Sequence, residues 1–360
     1  MIKGNKGEWS EVYVLLKLLA TGRLNAADEN LNALKDVFYP IIKILRDQNK
    51  SSLEYHVEST IKLIDGNSGS EIISIPISTI KEKSEILFKS LKQASGRSFG
   101  FPELNKFLDQ IKVTYLAANS RDKSDINIVV HDLNTGLKPK LGFSIKSMLG
   151  KNSTLFNAGN TTNFIYKIET NKQLDLGSIN TIEEKPKILN RLKAINRLGI
   201  NLSFSHIQSS TLELNLRLID SDLPEILAEM LLLKYSTSGL SLINETIDLL
   251  KDNNPLNFDL SQNHPFYEYK LKNFLTDSAL GMTPATKWEG KYDATGGIIV
   301  VKQNGDVLCY HIYNRNEFQK YLVNNTKFEQ ASTSRYKFGE VYEEKGNFFI
   351  KLNLQIRFTN

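Results

Sequence analysis

Two residues of the chain, Asp125 and Lys146, have the types and the setting needed to hydrolyse a phosphodiester bond. Asp125 begins an alternating apolar run at residues 125–131, and Lys146 lies within the next run, at residues 141–147. If the two runs pair as a β-hairpin, the carboxylate and the amine converge on one point. The carboxylate can then hold Mg²⁺ against a phosphate, and the amine can orient the attacking water. Such a pair also arises by chance, so a structural role stays open.

A magnesium site for this chemistry usually takes more than one carboxylate, and the position two residues before Lys146 is Ser144. A second acid must therefore come from elsewhere. Glu8 and Glu11 lie on one face of a predicted N-terminal helix, and that face continues as a stripe of leucines. We expect Glu8 or Glu11 to be the second metal-binding acid. The alternative for Glu8 is a structural role in the first helical turn, where a carboxylate stabilises the helix dipole.

Two polar tracts have the composition of a surface that binds nucleic acid. Residues 147–163 are rich in amides, hydroxyls and glycines, and residues 310–336 interleave tyrosine with asparagine, arginine, lysine and serine. Such side chains contact phosphates and base edges. The residues that we expect to contact DNA are Ser147, Asn157, Thr162, Asn163, Asn314, Arg315, Lys327, Ser334 and Arg335. The alternatives are a solvated loop for the first tract and a polar sheet exterior for the second.

Several other chemistries lack the residues that they need. The histidines are scattered without a pair at four-residue spacing, and Cys309 is the only cysteine, so neither a zinc hydrolase nor a disulfide framework fits. Gly150 and Lys151 resemble the end of a phosphate-binding loop, but Ile145 stands where that motif needs its first glycine. The glycine motifs of serine hydrolases and of dinucleotide-binding folds are also missing.

Length and composition are those of a globular protein: 360 residues, of which 41% are hydrophobic and 24% charged. These values exclude a disordered or collagenous chain. Apolar segments fall short of the roughly 20 residues that cross a bilayer, and the N-terminus lacks a signal-peptide core. We therefore expect a cytoplasmic protein that does not bind membranes. The net charge of +5 permits a polyanionic partner without requiring one.

The segments that position these residues alternate between helical and extended patterns, which predicts a mixed α/β (α+β) fold. A helix is predicted at residues 7–19, ended by Gly22. The other predicted helices cover residues 30–48, 79–93, 102–110, 182–198, 223–235 and 242–250. The predicted strands cover residues 53–64, 72–77, 112–117, 125–131, 141–147, 163–169, 201–206 and 211–219.

From about residue 279 the composition shifts toward aromatic, glycine and β-forming residues. We therefore expect two parts. Residues 1–278 would form a helical N-terminus and a nuclease core, with the catalytic hairpin within 112–169. Residues 279–360 would form a β-rich region that recognises DNA.

Several long motifs resemble the HpaII family of type II restriction endonucleases. They are GNKGEWSE at residues 4–11, GFSIKSMLG at 142–150, TLFNA at 154–158, DATGG at 293–297 and KLNLQIRF at 351–358. The resemblance implies a bacterial, Mg²⁺-dependent enzyme of a restriction–modification system that cuts double-stranded DNA at unmethylated CCGG. We expect products with a 5′-phosphate. A homodimer would suit a palindromic target, and a cytosine methyltransferase would be the partner within the system.

The same resemblance implies a PD-(D/E)XK nuclease core, which is a mixed β-sheet flanked by helices. In that pattern Asp125 binds the metal, Lys146 is catalytic and the main-chain carbonyl of Ile145 is a further metal ligand. Ser144 occupies the position of the second acid, a departure from the pattern that leaves Glu11 or Glu8 to supply the missing carboxylate.

Two other functions remain as alternatives. A DNA-binding protein that keeps a decayed nuclease core is suggested by the missing acid at Ser144. A metabolic metalloenzyme fits the composition but not the tract of asparagine, arginine and tyrosine at residues 310–336.

Overall fold

Helices and strands alternate along the chain in the computed structural model, which describes residues 2–48, 51–116, 124–171 and 173–359. The helices in these ranges are α1 (Lys6–Thr21), α2 (Ile77–Gln93), α3 (Asn105–Gln110), α4 (Leu176–Asn180), α5 (Lys187–Arg197), α6 (Ser210–Ile219), α7 (Leu223–Ser236), α8 (Ile243–Asn253), α9 (Phe266–Leu280), α10 (Arg315–Asn324) and α11 (Thr333–Tyr336). Across the same ranges, no helix has both the length and the apolar character to span a membrane.

The strands confirm the mixed α/β class. They are β1 (Arg23–Ala27), β2 (Ala33–Gln48), β3 (Ser51–Val57), β4 (Thr60–Asp65), β5 (Glu71–Pro76), β6 (Ile126–Val130), β7 (Lys140–Ser147), β8 (Thr154–Phe156), β9 (Asn163–Glu169), β10 (Asn201–Ile207), β11 (Gly297–Val301), β12 (Val307–His311), β13 (Thr326–Phe328), β14 (Val341–Glu344), β15 (Asn347–Asn353) and β16 (Ile356–Phe358).

Helix α1 is buried and has well-defined ends. The side chain of Asn5 accepts a hydrogen bond from the backbone of Glu8, and the side chain of Glu8 accepts one from the backbone of Asn5. This reciprocal capping box fixes the start of the helix. Gly22 ends it in the left-handed region at φ 65°, where glycine is the least strained residue. The helix predicted at residues 7–19 is therefore confirmed.

The described strands form one large sheet in the order β1-β12-β11-β7-β6-β2-β3-β4-β5, with a further pairing between β1 and β2. Strands β6 and β7 are antiparallel neighbours, with Ile126 opposite Phe143. Strand β11 runs parallel to β7 on its other side, with Val300 opposite Lys146. The hairpin predicted around Asp125 and Lys146 thus lies in the interior of this main sheet.

The main sheet separates two hydrophobic cores. Alternate residues of β11 enter opposite cores: Ile299 joins the core that contains α1 and α2, and Ile298 joins the core that contains α5 to α10. This alternation follows from the two-residue period of a strand. Because both faces are covered, polar side chains on the central strands lie in partly desolvated surroundings.

Two smaller sheets complete the second core. One has the order β10-β9-β15-β14 and the other β13-β16-β8. Strands from residues 279–360 therefore enter all three sheets alongside strands from earlier in the chain. The division between residues 278 and 279 stays a prediction, and it is not a division between sheets.

The helix predicted at residues 30–48 is wrong, because most of this segment is the long strand β2. Aromatic and β-branched residues are concentrated in the middle of it, at residues 37–44, and they favour a pleated surface. Pro40, which would break a helix, is accommodated because its carbonyl accepts from His131 while its nitrogen needs no partner. Contacts with strands far away in the sequence decide the outcome, since β2 pairs with β1, β3 and β6.

The strand predicted at residues 211–219 is also wrong, because this segment is helix α6. Leucine at every second position fits a strand, but it also places Leu212 and Leu216 on one helical face. Both are buried, whereas Leu214 and Leu218 are 67% and 59% exposed. The Ser209 hydroxyl accepts a hydrogen bond from the Leu212 backbone and caps the helix. Leucine's high helix propensity therefore prevails.

Residues 112–116 form a turn and an irregular segment instead of the predicted strand, and residue 117 lies outside the described ranges. The segment predicted as one strand at residues 53–64 is the hairpin β3–β4. Helix α9 was not predicted. The other predicted elements are confirmed, with ends shifted by a few residues.

Candidate active site

The candidate active site lies at the point where β6 begins opposite the middle of β7. The backbone N–H of Asp125 donates to the carbonyl of Phe143 at 2.9 Å, so Asp125 extends the ladder by one residue. This register places the aspartate beside Ser144 and Ile145. The hairpin thus positions the aspartate by backbone hydrogen bonds that do not depend on its side chain.

The structure brings Asp125, Ser144 and Lys146 together. Oδ2 of Asp125 accepts hydrogen bonds from the Ser144 hydroxyl at 3.1 Å and from the Ile145 backbone at 2.6 Å. The same Ser144 oxygen accepts from Nζ of Lys146 at 2.9 Å. The carboxylate and the amine therefore flank one hydroxyl, on the same face of the sheet. Ser144 itself is only 2% exposed.

Burial and the neighbouring charges have opposite effects on the pKa of Lys146. Burial lowers the pKa of Lys146, while the negative charges of Asp125 and Glu11 act to raise it. Glu11 is therefore close enough to act electrostatically on this lysine. An amine in this setting is a positive charge that is held by its neighbours and weakly hydrated, which suits a group that acts on a phosphate.

Helix α1 is fastened to β7 next to the site. The hydroxyls of Ser10 and Ser147 form a buried hydrogen bond of 2.7 Å. Ser147 lies on the face of β7 that packs against α1, so this bond fixes the helix against the strand. Glu8 lies in the first turn, and its Oε2 accepts from the Asn5 backbone at 2.7 Å as part of the capping box. Of the two predicted acids, Glu11 acts electrostatically on Lys146, whereas Glu8 takes part in capping.

Arg46 on β2 is a charged residue of this region that the sequence analysis missed. Its guanidinium donates to the backbone carbonyls of Tyr115 and Leu116. Burial lowers its pKa, and the neighbouring Tyr55 and Glu11 oppose this shift. Arg46 therefore places a second cation near Glu11. The sequence gives little signal for this role, because Lys43 and Asp47 are further charged residues on the same strand.

Glycines allow the chain after α9 to approach the hairpin closely. A Cβ on Gly296 would lie 2.5 Å from the Phe143 ring, and one on Gly142 would lie 2.7 Å from the carbonyl oxygen of Asp293. The Gly296 backbone donates to the Gly142 carbonyl at 2.7 Å, and the Thr295 hydroxyl accepts from the Gly142 backbone at 3.1 Å. The 293–297 motif is therefore built into the wall of the site.

The described residues contain no cluster of three or more histidine, cysteine, aspartate or glutamate side chains that could hold a metal ion. The acidic groups whose charges act on Lys146 are Asp125 and Glu11. A divalent ion here would take oxygen ligands from these carboxylates, from a main-chain carbonyl such as that of Ile145, and from water. Mg²⁺ accepts such a set, because it usually keeps several of its waters.

Three of the residues predicted to contact DNA are buried. Ser147 bonds to Ser10, as described above, and Thr162 accepts from the Asn353 side chain at 3.1 Å. Asn163 donates to the Tyr336 carbonyl at 2.9 Å. Their hydrogen bonds are made inside the protein, so they support nearby surfaces instead of reaching a ligand. Composition alone could not distinguish these two roles.

The other predicted DNA contacts lie at or near the surface. Asn157, Arg315, Ser334 and Arg335 are exposed, and Asn314 and Lys327 are half-buried. Arg315 donates to Oδ1 of Asn273 at 3.1 Å, and Arg335 lies over the ring of the adjacent Tyr336. These side chains remain available to a ligand, and their role stays a prediction.

Comparison with known proteins agrees with the motifs. The profile of the HpaII restriction endonuclease family matches residues 5–358. The type II restriction enzyme HpaII of Haemophilus parainfluenzae is 48% identical over 356 residues, which is 99% of this chain and 98% of that enzyme. No solved structure matches the chain. The resemblance predicted from the motifs is thereby confirmed, and the chain belongs to the HpaII restriction endonuclease family.

Proposed function

We propose that this protein is a type II restriction endonuclease that cuts double-stranded DNA at CCGG, with Mg²⁺ as cofactor and 5′-phosphate products. The observation that carries the proposal is the convergence of Asp125 and Lys146 on the Ser144 hydroxyl. The close relation to a named type II restriction enzyme supports the reaction. The target CCGG and the PD-(D/E)XK core follow from the family resemblance, and the β6–β7 hairpin beside the parallel strand β11 is compatible with that core.

Asp125 fits the role of a metal ligand. Both hydrogen bonds that it accepts go to Oδ2, and the described residues direct no donor at Oδ1. One carboxylate oxygen is thus fixed by the protein while the other can bind a hard cation. Glu11 and the Ile145 carbonyl would complete the protein's share of the ligands. A bound Mg²⁺ would polarise the scissile phosphate and lower the pKa of a water molecule.

Lys146 would orient the attacking water and stabilise the negative charge that develops on the phosphate. Its amine is already held by Ser144, so little reorganisation is needed when the substrate binds. Water attacks the phosphorus in line with the bond to the 3′-oxygen. That bond breaks, the 3′-oxygen takes up a proton, and the new P–O bond leaves the phosphate on the 5′ side.

Ser144 would act as a neutral spacer in the position where the family pattern has a second acid. Its hydroxyl donates to Asp125 and accepts from Lys146, so it transmits the position of each to the other. Because it carries no charge, the site relies on α1 for its second carboxylate. In this proposal Glu11 supplies that carboxylate, and the Ser10–Ser147 hydrogen bond holds α1 against β7.

Recognition of CCGG would use the exposed polar residues of the C-terminal region. Each strand of the target carries two guanines, which arginine reads with paired hydrogen bonds in the major groove. Arg315 and Arg335 are the arginines that we assign to this task. A methyl group on cytosine would clash in the groove and protect host DNA. A homodimer on the palindrome, a cognate methyltransferase and a bacterial cytoplasmic location belong to the same proposal.

A second candidate is a protein that binds DNA without cutting it, and the neutral Ser144 favours it. Both functions are tested by incubating purified protein with a plasmid that contains CCGG, with Mg²⁺ or with EDTA. We expect linear fragments with ends at CCGG only when Mg²⁺ is present, and no cutting of DNA that was first methylated at CCGG. Specific binding without any cleavage in Mg²⁺ would instead establish the second candidate.

A further inference from the structure

A basic groove lies on the surface of the sheet β10-β9-β15-β14, and no role has been assigned to it above. We name it the lysine groove. It has a volume of about 350 Å³. Its polar lining comes from α5, from α11 and the segment after it, and from β15. These lining residues are Lys187, Lys337, Lys351, Thr333, Ser334 and Glu340.

The charge of this lining is predominantly positive, with three ammonium groups against the single carboxylate of Glu340. Lys351 contacts neutral groups: it donates to Gln208 at 3.3 Å and lies over the Tyr342 ring at 5.2 Å. Lys187 lies 3.2 Å from Glu183, whose side chain is 70% exposed. Such a surface ion pair is weak and is readily exchanged for another anion. The groove can therefore offer its positive charge to a ligand.

The walls of the groove are held by hydrogen bonds from beneath. Asn163, which is fully buried, donates to the carbonyl of Tyr336 in α11 and to the Gln208 side chain that also holds Lys351. The Gly339 backbone donates to the Lys351 carbonyl at 2.9 Å. Lys337 ends α11 in the left-handed region at φ 50°, which a lysine adopts only when its surroundings require it. The lysines are thus presented by a rigid frame.

The chemistry of this lining suits a phosphate group. Three ammonium groups and two hydroxyls all donate hydrogen bonds to oxygen, and lysine binds phosphate as a point charge without reading a base. Ser334 is in the lining, and the exposed Arg335 follows it in the tract that the sequence predicts to face DNA. A phosphate of the DNA backbone accounts for all of these features together.

We propose that the lysine groove binds a backbone phosphate of the DNA duplex outside the CCGG sequence, a role that rests on the proposed function. Such a contact positions the duplex and adds affinity without adding sequence preference. The groove therefore contributes to binding of any duplex, and its contribution falls as salt rises, because counterions are released when the phosphate is neutralised.

The test compares the wild-type protein with the triple variant Lys187→Gln, Lys337→Gln, Lys351→Gln. Fluorescence anisotropy measures binding in Ca²⁺ to a duplex with CCGG and to one with the site scrambled, across a salt series. We expect both affinities to fall by at least about tenfold at low salt, with the preference for CCGG unchanged. The slope of log K against log salt should decrease by about 1 or more.

A matched control removes the same charge from α2, on the other side of the main sheet, through Lys81→Gln, Lys83→Gln and Lys89→Gln. Equal losses in both variants would overturn the proposal, because net charge alone would then explain the effect. A second variant, Lys351→Arg, keeps the charge and should retain the wild-type salt slope. Thermal unfolding of each variant shows whether the fold is intact.

Ethylation interference identifies the phosphate directly. In the wild type, ethylation of a phosphate outside CCGG should weaken binding, and this interference should disappear in the triple variant. An interference pattern identical in both proteins would overturn the proposal. Failure of the proposed function is distinguishable, since it would appear as a wild type that neither prefers CCGG nor cuts it, whereas the salt slope on any duplex tests the groove.

Discussion

Replacing Lys146 by alanine should abolish cleavage without abolishing recognition. The substitution removes the amine that donates to Ser144 at 2.9 Å and the positive charge that faces the phosphate. Loss of one preorganised donor to a developing charge costs about 10²–10³-fold in rate, and loss of help with proton transfer costs about 10²–10⁴-fold. We therefore expect the cleavage rate to fall by at least about 10³-fold, which corresponds to about 4 kcal/mol.

The fold and the affinity for DNA should change little in this variant. Ser144 keeps its hydrogen bond to Asp125, and Ile145 still donates to the same carboxylate. The cost of burying an ammonium group is removed, which offsets the lost hydrogen bond. We expect binding to CCGG in Ca²⁺ within about threefold of the wild type, a change that corresponds to less than about 1 kcal/mol.

Single-turnover cleavage of a labelled duplex measures the rate, and anisotropy measures the affinity. Lys140→Ala is the matched control, because Lys140 lies on the same strand, is exposed and carries the same charge. The control should cleave at nearly the wild-type rate. If Lys146→Ala lost specific binding to the same extent as cleavage, Lys146 would be a structural residue. Cleavage within about tenfold of wild type would show that this pocket is not where the bond is broken.

Two further predictions concern the second carboxylate and a buried histidine. Glu11→Gln should raise the Mg²⁺ concentration for half-maximal cleavage by at least about 10–100-fold. Glu8→Gln should leave it unchanged and cost only about 0.3–1 kcal/mol of stability through the charge lost at the helix N-terminus, because glutamine keeps the capping-box hydrogen bond with Asn5. Burial lowers the pKa of His311 to about 4, so the unfolded chain takes up this proton first as pH falls. The free energy of unfolding therefore includes the full contribution of neutral His311 above about pH 6.5, and it decreases by up to about 3 kcal/mol as the pH falls toward 4. His311→Phe should reduce this decrease, which urea unfolding across the same pH range measures.

The part of the site that could be predicted from sequence is the part that neighbouring residues determine. Asp125 and Lys146 lie on two alternating runs that follow each other in the sequence and are joined by residues 131–139, so their pairing as a hairpin could be predicted. The start of α1 was likewise predictable, because Asn5, Glu8 and Gly22 specify its ends locally. Where the hydrophobic pattern and the capping or turn residues indicate the same element, the sequence is sufficient to predict that element.

The secondary-structure predictions are wrong where contacts with distant strands or helices outweigh the local sequence pattern. The segment at residues 30–48 has many apolar residues and suggests a helix, but β2 is fixed by three partner strands from different parts of the chain. The leucines at positions 212, 214, 216 and 218 are compatible with the two-residue period of a strand and also place two leucines on one face of a helix. The packing of Leu212 and Leu216 in the core decides in favour of the helix. Propensity is a weak guide in such segments, since tertiary contacts override it.

The supporting residues were missed for the same reason. The Ser10–Ser147 bond and the contacts of Arg46 join residues that are far apart in sequence, and neither residue type suggests its partner. Asn163 shows the converse, because a polar residue in a polar tract was predicted to meet DNA and is instead buried beneath the lysine groove. Amide and hydroxyl side chains form hydrogen bonds with buried backbone groups as readily as they do with phosphate oxygens.

These supporting contacts bear on the neutral residue at position 144. If an acid stood there, Asp125 and its neighbour could hold a cation without help from a helix, and α1 could shift with little effect. With serine present, the proposed cation site would take its second charge from Glu11, and the position of this acid depends on how α1 packs against the sheet. The buried Ser10–Ser147 bond and the hydrogen bond from the Trp9 indole to the Phe99 carbonyl hold α1 in place. If the proposed cation site is correct, the neutral Ser144 makes the site depend on the packing of α1, so a variant that loosens this packing, such as Ser10→Ala, should weaken Mg²⁺ dependence before it affects the hairpin.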